Sequence, residues 1–287
     1  KIFRLEDYMR LLTILLFIVL SIAALLLPWL IKEPDVKVPD QSVTAHLPAI
    51  PEVEVKRDLP DFMSMTDVTE KKEEFFRFLL PLVEAENIRI LHDRAYLKAI
   101  YERYKNGELT AADKKQMEEW INYYRLEDDI AIDDNLFGLL KRRIDIIPEM
   151  MVLVQAANES GWGTSRFSRK GLNLFGQWCY SKGCGLVPTG RVEGGRHEVA
   201  QFDSVNASVK SYMRNINTHG AYLDLRLLRE QKRLNNADIL ARDLITGLSS
   251  YSERGEDYIE ELRAMIRINR PIVERVSEEL NPPPQPE

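Results

Sequence analysis

A single glutamate, Glu159, stands at the end of an apolar run and directly before the glycine-rich string SGWG at residues 160–163. Pro148 suits the first turn of a helix and Gly161 is a typical stop, so the run between them predicts a buried helix with Glu159 in its last turn. Partial burial and the negative end of the helix dipole both disfavour a charged carboxylate, so we expect a raised pKa for Glu159. A carboxyl group held neutral near neutral pH can donate a proton to a leaving oxygen. The ordinary alternative is a solvated glutamate at a frayed helix end.

The string AANESGWGTSRFSRKGLNLFGQW at residues 156–178 resembles the signature of glycoside hydrolase family 73, the N-acetylglucosaminidases that cut peptidoglycan. The family pattern is roughly A-x-x-E-[ST]-G-W-G-x-S followed by N-L-F-G. Two further strings, CYSKGCGLVPTGR and HEVAQFDSVNASVKSYMRNINTHGAY, resemble the Bax-type branch of this family in Gram-negative bacteria. The resemblance spans residues 146–269. It implies a mainly α-helical, lysozyme-like α+β catalytic domain with a small β-hairpin lobe, no cofactor and no metal.

The same resemblance makes Glu159 the catalytic acid and implies a second acidic residue on the hairpin lobe downstream. Glu193 and Glu198 flank a Gly-Gly turn signal, so either side chain could face the substrate groove. Asp203 is the third acidic residue of this segment, and we expect it to cap the next helix. We rank Glu193 first and Glu198 second as the catalytic partner. The alternative for each is a solvent-facing charge on the hairpin.

The stereochemistry of the predicted reaction stays open at this level. An inverting glycosidase holds its two carboxyl groups about 6.5–9.5 Å apart, and a retaining one about 5–5.5 Å. The 2-acetamido group of N-acetylglucosamine also permits a substrate-assisted route that needs no protein nucleophile.

The run from 247 to 258 resembles the family segment G-Y-A-T-D-P-x-Y, with Ser250 in place of its glycine. Tyr251 matches the tyrosine that faces the cleft, so the resemblance implies that it orients the acid or the acetamido group of the sugar. The alternative is a core tyrosine with a satisfied hydroxyl. Three further side chains are assigned to substrate binding: Trp178, Asn173 and Tyr258. We expect Trp162 and Phe175 to pack in the core.

Cys179 and Cys184 are the only cysteines and enclose four residues. This spacing indicates either a small disulfide loop or a redox or metal pair. A zinc site needs more soft ligands, and the histidines show no ligand spacing, although His197 alone could lie nearby. In an oxidising compartment the disulfide is the better interpretation.

Residues 11–31 are almost wholly apolar and long enough to cross a bilayer core about 30 Å thick. They predict a transmembrane signal anchor after a short cytoplasmic N-terminus at residues 1–10. Basic residues precede the span, at Lys1, Arg4 and Arg10, so the positive-inside bias favours a cytoplasmic N-terminus. We therefore expect a single-pass inner-membrane protein with its catalytic domain in the periplasm. The alternative is a signal sequence that is removed, although no cleavage site is evident.

The rest of the chain divides into four predicted segments. Residues 32–66 are rich in proline and charge and predict a periplasmic linker. Residues 67–145 form a helical region that packs on the catalytic domain, binds an envelope protein partner or blocks the cleft. The glucosaminidase domain follows at 146–275, and a Pro-rich flexible tail at 276–287.

Three helices are predicted inside that helical region. Apolar residues recur at helical spacing from 75 to 83 and again from 96 to 104. Asn106 and Gly107 mark a turn, and Thr110 is a suitable N-cap for the third helix.

The net charge of −6 argues against nucleic acid as a partner and provides no general attraction to an acidic wall. The sequence therefore predicts a peptidoglycan hydrolase that cleaves the glycosidic bond after N-acetylglucosamine in glycan strands, with Glu159 as general acid. One alternative is a lytic transglycosylase. Another is an inactive wall-binding or scaffold subunit of an envelope complex.

Overall fold

The structure is a computed structural model that describes residues 41–191 and 194–282. Its α-helices are α1 (Gln41–Thr44), α2 (Val68–Lys105), α3 (Ala111–Tyr123), α4 (Asp134–Arg143), α5 (Glu149–Ser160), α6 (Arg166–Gly171), α7 (Val205–Thr218), α8 (Leu223–Leu234), α9 (Ala241–Leu244) and α10 (Glu256–Leu280). Two 3₁₀ turns occupy Gly220–Tyr222 and Ile245–Leu248. Three short strands are β1 (Trp178–Cys179), β2 (Gly185–Leu186) and β3 (Glu198–Ala200). The predicted mainly helical architecture with a small β element is confirmed, and it fits a lysozyme-like domain.

Helix α5 is apolar around nearly its whole circumference, so it must be buried on every side. Residues 151–157 are fully buried. The long helices α2 and α10 pack against α5 and against each other. The helix that carries Glu159 is thereby surrounded along residues 151–157, and Asn158 and Glu159 in its last turn are partly exposed.

Helix α2 is one continuous element of 38 residues, so the prediction of two separate helices in this region was wrong. Asp67 begins it as N-cap, accepting hydrogen bonds from the backbone of residues 69 and 70. No glycine interrupts the stretch between the two apolar runs, and buried residues such as Ile90 carry the core-facing stripe across it. Pro81 alone did not break the helix. The predicted turn is present, with Gly107 at φ 75°.

A buried ionic cluster secures the segment that leads into α5. Asp145 is 2% exposed and lies within 4 Å of arginines from two other helices: Arg94, Arg229 and Arg233. Burial would raise the pKa of Asp145, but the positive charges of these arginines outweigh it and hold the pKa below its ordinary value. Because removing one partner would leave an unpaired buried charge, this cluster holds the entry to α5 in one arrangement.

The small sheet is antiparallel with the order β1-β3-β2. Trp178 pairs with Val199, and Gly185 pairs with Ala200. The predicted hairpin lobe is therefore a three-stranded sheet, and the strand before the Gly194-Gly195 turn signal ends at Leu186. Gly185 is required by packing, because a Cβ there would lie 2.0 Å from the Val199 carbonyl oxygen.

The folded part of the chain extends further towards both termini than predicted. The backbone of Lys56 bonds the Asn206 side chain and the Val205 amide, both at 2.8 Å. Phe62 is 1% exposed, so the linker does not extend to residue 66. At the other end α10 continues to Leu280, and the flexible tail cannot begin at residue 276 because Val276 is fully buried.

No helix among residues 41–191 and 194–282 has the length and apolar character needed to span a bilayer. The predicted span at residues 11–31 and the candidate Glu193 both lie outside the described residues.

Candidate active site

The predicted helix end at Glu159 is confirmed. Helix α5 begins after Pro148 as N-cap and ends at Gly161, which adopts the left-handed conformation with φ 57°. The next turn is held by a hydrogen bond from the Gly163 amide to the Ser160 hydroxyl at 2.8 Å. A side chain at Gly163 would lie 2.5 Å from the Phe62 ring. The glycine-rich string thus lets the chain turn sharply immediately after Glu159.

Tyr258 is the direct partner of Glu159. Its hydroxyl donates to Glu159 Oε1 at 2.9 Å. Tyr258 lies in the first turn of α10 and is 2% exposed. The hydrogen bond therefore joins two helices that are 99 residues apart in sequence.

Two buried side chains that the sequence analysis missed fix the orientation of Tyr258. Gln155 Nε2 donates to the Tyr258 hydroxyl at 2.9 Å, and the Tyr212 hydroxyl donates to Gln155 Oε1. Because Tyr258 already accepts from Gln155, its own proton points to Glu159. The sequence feature that could have identified Gln155 is its position as a polar residue inside an apolar run, one helical turn before Glu159.

The electrostatic environment favours a protonated Glu159. Burial raises the pKa of Glu159 above its ordinary value of 4.5, and the negative charge of Glu261 acts in the same direction. The side chains of Tyr258 and Asn158 partly oppose this by stabilising the charged form. The direction agrees with the prediction, with burial as its main cause. Burial and the charge of Glu159 also raise the pKa of Tyr258, so the phenol stays a hydrogen-bond donor.

The second oxygen of Glu159 faces Gly176. A Cβ at Gly176 would lie 3.8 Å from Glu159 Oε2, and the residue has φ 62°. Glycine therefore leaves space beside this oxygen and permits the backbone conformation.

Asn173 shapes this loop, and its geometry does not fit the substrate-binding role that was predicted. It is 1% exposed. Its Oδ1 accepts from the amides of Phe175 and Gln177, and its Nδ2 donates to the carbonyls of Gln177 and Ala200. With every polar atom bonded to the backbone, Asn173 holds the loop against the sheet.

Tyr258, and not Tyr251, donates the hydrogen bond to Glu159. Tyr251 donates to the Phe175 carbonyl at 2.9 Å, and its ring stacks on that of Tyr258 with centroids 5.5 Å apart. Tyr258, predicted to bind substrate, is buried against Glu159 instead. The reason is that Tyr258 starts α10, whose face packs on α5, whereas Tyr251 lies in the preceding turn.

Phe175 packs in the core as predicted, Trp162 is only partly buried, and Trp178 is exposed. Phe175 is 2% exposed and stacks on Tyr212 at 4.0 Å. Trp162 packs edge-on against two phenylalanines of α2. Trp178 is 58% exposed and stacks on His197 at 4.4 Å. This exposed pair offers a flat surface of the kind that sugar rings stack on.

Glu198 performs a structural task. It is 5% exposed and accepts hydrogen bonds from the amides of Gly183 and Gly185, at 3.1 and 2.9 Å. These bonds hold the pKa of Glu198 below its ordinary value. Because its oxygens are occupied, the position does not fit the catalytic role considered for it.

The predicted disulfide between Cys179 and Cys184 is present. It closes the loop whose amides bond Glu198. The two sulfur atoms and the Glu198 carboxylate lie within 4.8 Å of one another, but disulfide sulfurs are not the thiolates that metal ions require.

Comparison with known proteins identifies the family of the chain. Residues 134–270 match the family model described as mannosyl-glycoprotein endo-beta-N-acetylglucosaminidase. The chain is 34% identical over 215 residues to the protein described as "Protein bax" from Escherichia coli strain K12, covering 75% of this chain and 76% of that protein. No solved structure matches the chain. The partly buried Glu159 at the end of α5 thus lies within the matched region, and the chain belongs to the Bax-type glucosaminidase family, a family of glycosidases.

Proposed function

We propose that this protein is a peptidoglycan hydrolase that cleaves the glycosidic bond after N-acetylglucosamine. The observation that carries the proposal is the partly buried Glu159, which has one oxygen bonded to Tyr258 and the other 3.8 Å from the position that a Cβ on Gly176 would occupy. A neutral carboxyl group in that position is suited to protonate a leaving oxygen.

The two oxygens of Glu159 have different tasks in the proposed reaction. Oε1 accepts from Tyr258, so the proton of the neutral acid resides on Oε2, on the side of Gly176. The glycosidic oxygen receives this proton as its bond to C1 of N-acetylglucosamine breaks, and a water molecule then adds to C1, with its released proton restoring the acid. The hydrogen bond from Tyr258 then stabilises the carboxylate that forms, because hydrogen bonds to a charged acceptor are stronger than those to a neutral one. Gln155 keeps the phenol directed to Oε1.

The proposed second catalytic group is Glu193, which remains a prediction from the sequence. Glu198 is engaged by two backbone amides. If Glu193 has no role, the 2-acetamido group of the substrate supplies the nucleophile by the substrate-assisted route.

The test is digestion of purified peptidoglycan by the full chain, with fragments analysed by mass spectrometry. Products ending in reducing N-acetylglucosamine support the proposal. Anhydro-muramyl ends would identify a lytic transglycosylase instead. The Glu159→Gln variant, which keeps the size of the side chain but cannot donate this proton, is expected to be inactive. Binding without turnover by the unaltered protein would indicate a wall-binding or scaffold subunit.

We also propose that the catalytic body is exported and held at the inner membrane by residues 11–31. The Cys179–Cys184 disulfide supports an oxidising compartment. Alkaline phosphatase fused after residue 282 should be active in cells, and the chain should resist extraction from membranes by alkaline carbonate. An inactive fusion or ready extraction would contradict this location.

A further inference from the structure

Two neighbouring cavities share Arg94 and Lys141 in their walls. The larger cavity has a volume of about 600 Å³ and the smaller one about 160 Å³. Glu159, Tyr258 and Gly176 are not among the described residues that line them. The two cavities therefore lie apart from the side chains of the proposed reaction.

Basic side chains outnumber acidic ones in the smaller cavity. The basic residues that line it are Arg94, Lys141, Arg142, Arg229 and Arg233. The acidic ones are Glu230, which pairs with Arg142, and Asp145, which the other three arginines share. The negative end of helix α4 offsets only about half a charge more. The smaller cavity thus keeps an excess of positive charge that a bound anion would neutralise.

The arginines of this cavity are held mainly by groups without net charge. Arg94 and Arg229 donate hydrogen bonds to main-chain carbonyls at the end of α4 and in the three residues after it. These bonds fix the guanidinium groups but do not neutralise them. Burial lowers the pKa of Arg229 to about 10; the charge of Asp145 opposes this, whereas those of Arg94 and Arg233 reinforce it. An anion in the cavity would stabilise the charged arginines.

Lys141 carries a further positive charge between the two cavities. Its Nζ lies 3.7 Å from the centre of the Tyr101 ring and makes no ion pair with a carboxylate of residues 41–191 or 194–282. Burial lowers the pKa of Lys141, and the charge of Arg94 acts in the same direction. Because Lys141 lines both cavities, its ammonium group is within reach of an anion bound at their junction.

The larger cavity has a mainly apolar wall. Helix α2 contributes Leu91, Ala95 and Ala99, and the chain around the end of α1 contributes Val43 and Leu47. The alanines are small, so the wall between the bulkier side chains leaves space for a ligand. Three titratable residues also line this cavity, and all of them are solvent-exposed: His46, Lys98 and Glu102. An apolar chain would therefore find a partly enclosed surface directly beside the basic cavity.

We propose that the two cavities together bind one anionic phospholipid, with its phosphate in the smaller cavity and an acyl chain in the larger one. The excess of positive charge selects an anion, and the adjoining apolar wall favours an anion that carries a hydrocarbon chain over free phosphate. Val43 and Leu47 come soon after the predicted span at residues 11–31. A short tether to the membrane would keep the local concentration of lipid high at this site. The inference is independent of the proposed hydrolase activity.

The experiment measures binding of soluble short-chain lipids to the full chain in an uncharged detergent, by native mass spectrometry. The probes are dihexanoyl phosphatidylglycerol, dihexanoyl phosphatidylcholine and glycerol 3-phosphate. The Kd for phosphatidylglycerol should be at least about tenfold lower than for the other two, since one has a cationic headgroup and the other has no hydrocarbon. Equal Kd values for phosphatidylglycerol and glycerol 3-phosphate, equal values for the two lipids, or no binding of any probe would overturn the proposal.

Two variants separate the contributions of charge and apolar surface. Lys141→Gln should raise the Kd for phosphatidylglycerol about tenfold, with a smaller effect on phosphatidylcholine. Ala99→Phe fills part of the larger cavity, so it should weaken the binding of phosphatidylglycerol but not that of glycerol 3-phosphate.

The matched control is Lys105→Gln. Lys105 also lies beside the Tyr101 ring, with its Nζ 5.9 Å from the ring centre, but it lines neither cavity. Thermal melts identify the variants that are folded. No change of Kd in folded Lys141→Gln, or an equal change in Lys105→Gln, would overturn the proposal.

Discussion

The hydroxyl of Tyr258 donates a hydrogen bond to Glu159 Oε1 across 2.9 Å, and it joins the first turn of α10 to the last turn of α5. A general acid needs its proton until the leaving group departs and needs stabilisation of its negative charge afterwards. Burial helps Glu159 to keep its proton, and the hydrogen bond from Tyr258 stabilises the negative charge that follows.

Tyr258→Phe should slow the reaction and shift the alkaline limb of its pH profile to higher pH. The loss of a hydrogen bond to the developing carboxylate is expected to lower kcat/KM by about 10- to 100-fold. Since that bond favours the charged form, its removal raises the pKa of Glu159 further. The alkaline limb of the kcat/KM profile, which requires the protonated acid, should therefore shift to higher pH. Tyr251→Phe is the control, because its hydroxyl bonds the Phe175 carbonyl; a downward shift in Tyr258→Phe would contradict the assignment.

Gln155→Leu should affect both stability and catalysis. It leaves the buried Tyr212 hydroxyl without its acceptor, at a cost of about 1–3 kcal/mol in the free energy of unfolding. It also frees Tyr258 to rotate away from Glu159. A double-mutant cycle with Tyr258→Phe, measured in kcat/KM, should show coupling above about 0.5 kcal/mol.

Additive effects in that cycle would mean that Gln155 has only a structural role. Gln116→Leu makes the same chemical change on α3, where the side chain bonds Glu119 and no other described residue, and should leave kcat/KM unaltered.

Gly176→Ala should reduce activity more than it reduces stability. The left-handed backbone costs an alanine about 1–2 kcal/mol, and its Cβ would lie 3.8 Å from Glu159 Oε2, in the proposed position of the leaving oxygen. Gly107→Ala is matched in strain, with φ 75° and no atom within 4 Å of the added Cβ. Chemical denaturation should show equal losses of stability in the two variants. The value of kcat/KM should fall in Gly176→Ala alone. Equal kinetics would show that the space beside Oε2 is not used.

Glu198→Gln and Glu193→Gln should separate the two carboxylates considered for the second catalytic role. Replacing Glu198 weakens its bonds to the amides of residues 183 and 185, so the melting temperature should fall while most activity remains. Replacing Glu193 should abolish activity if it is the catalytic partner. Hydrolysis of peptidoglycan and thermal melts of both variants provide the comparison. Full activity in Glu193→Gln would favour the substrate-assisted route.

Local sequence pattern was sufficient for features that depend on neighbouring residues. The helix that ends at Gly161 and the position of Glu159 in its last turn follow from caps and periodicity, and the close spacing of Cys179 and Cys184 left the disulfide as one of the alternatives. The resemblance to the family further identified which carboxyl group to examine first. These features need no knowledge of how distant elements pack.

Only the tertiary structure decided which side chains meet Glu159. Tyr258 lies 99 residues away, and it contacts Glu159 in place of Tyr251 because the face of α10 that packs on α5 carries it. The motif likewise did not reveal that Asn173 bonds backbone atoms, since one of its partners, the Ala200 carbonyl, lies in the distant strand β3. Nor could any local pattern place Lys72 of α2 beside Trp162. Such contacts depend on the relative packing of whole helices, which is the sum of many weak interactions spread along the chain.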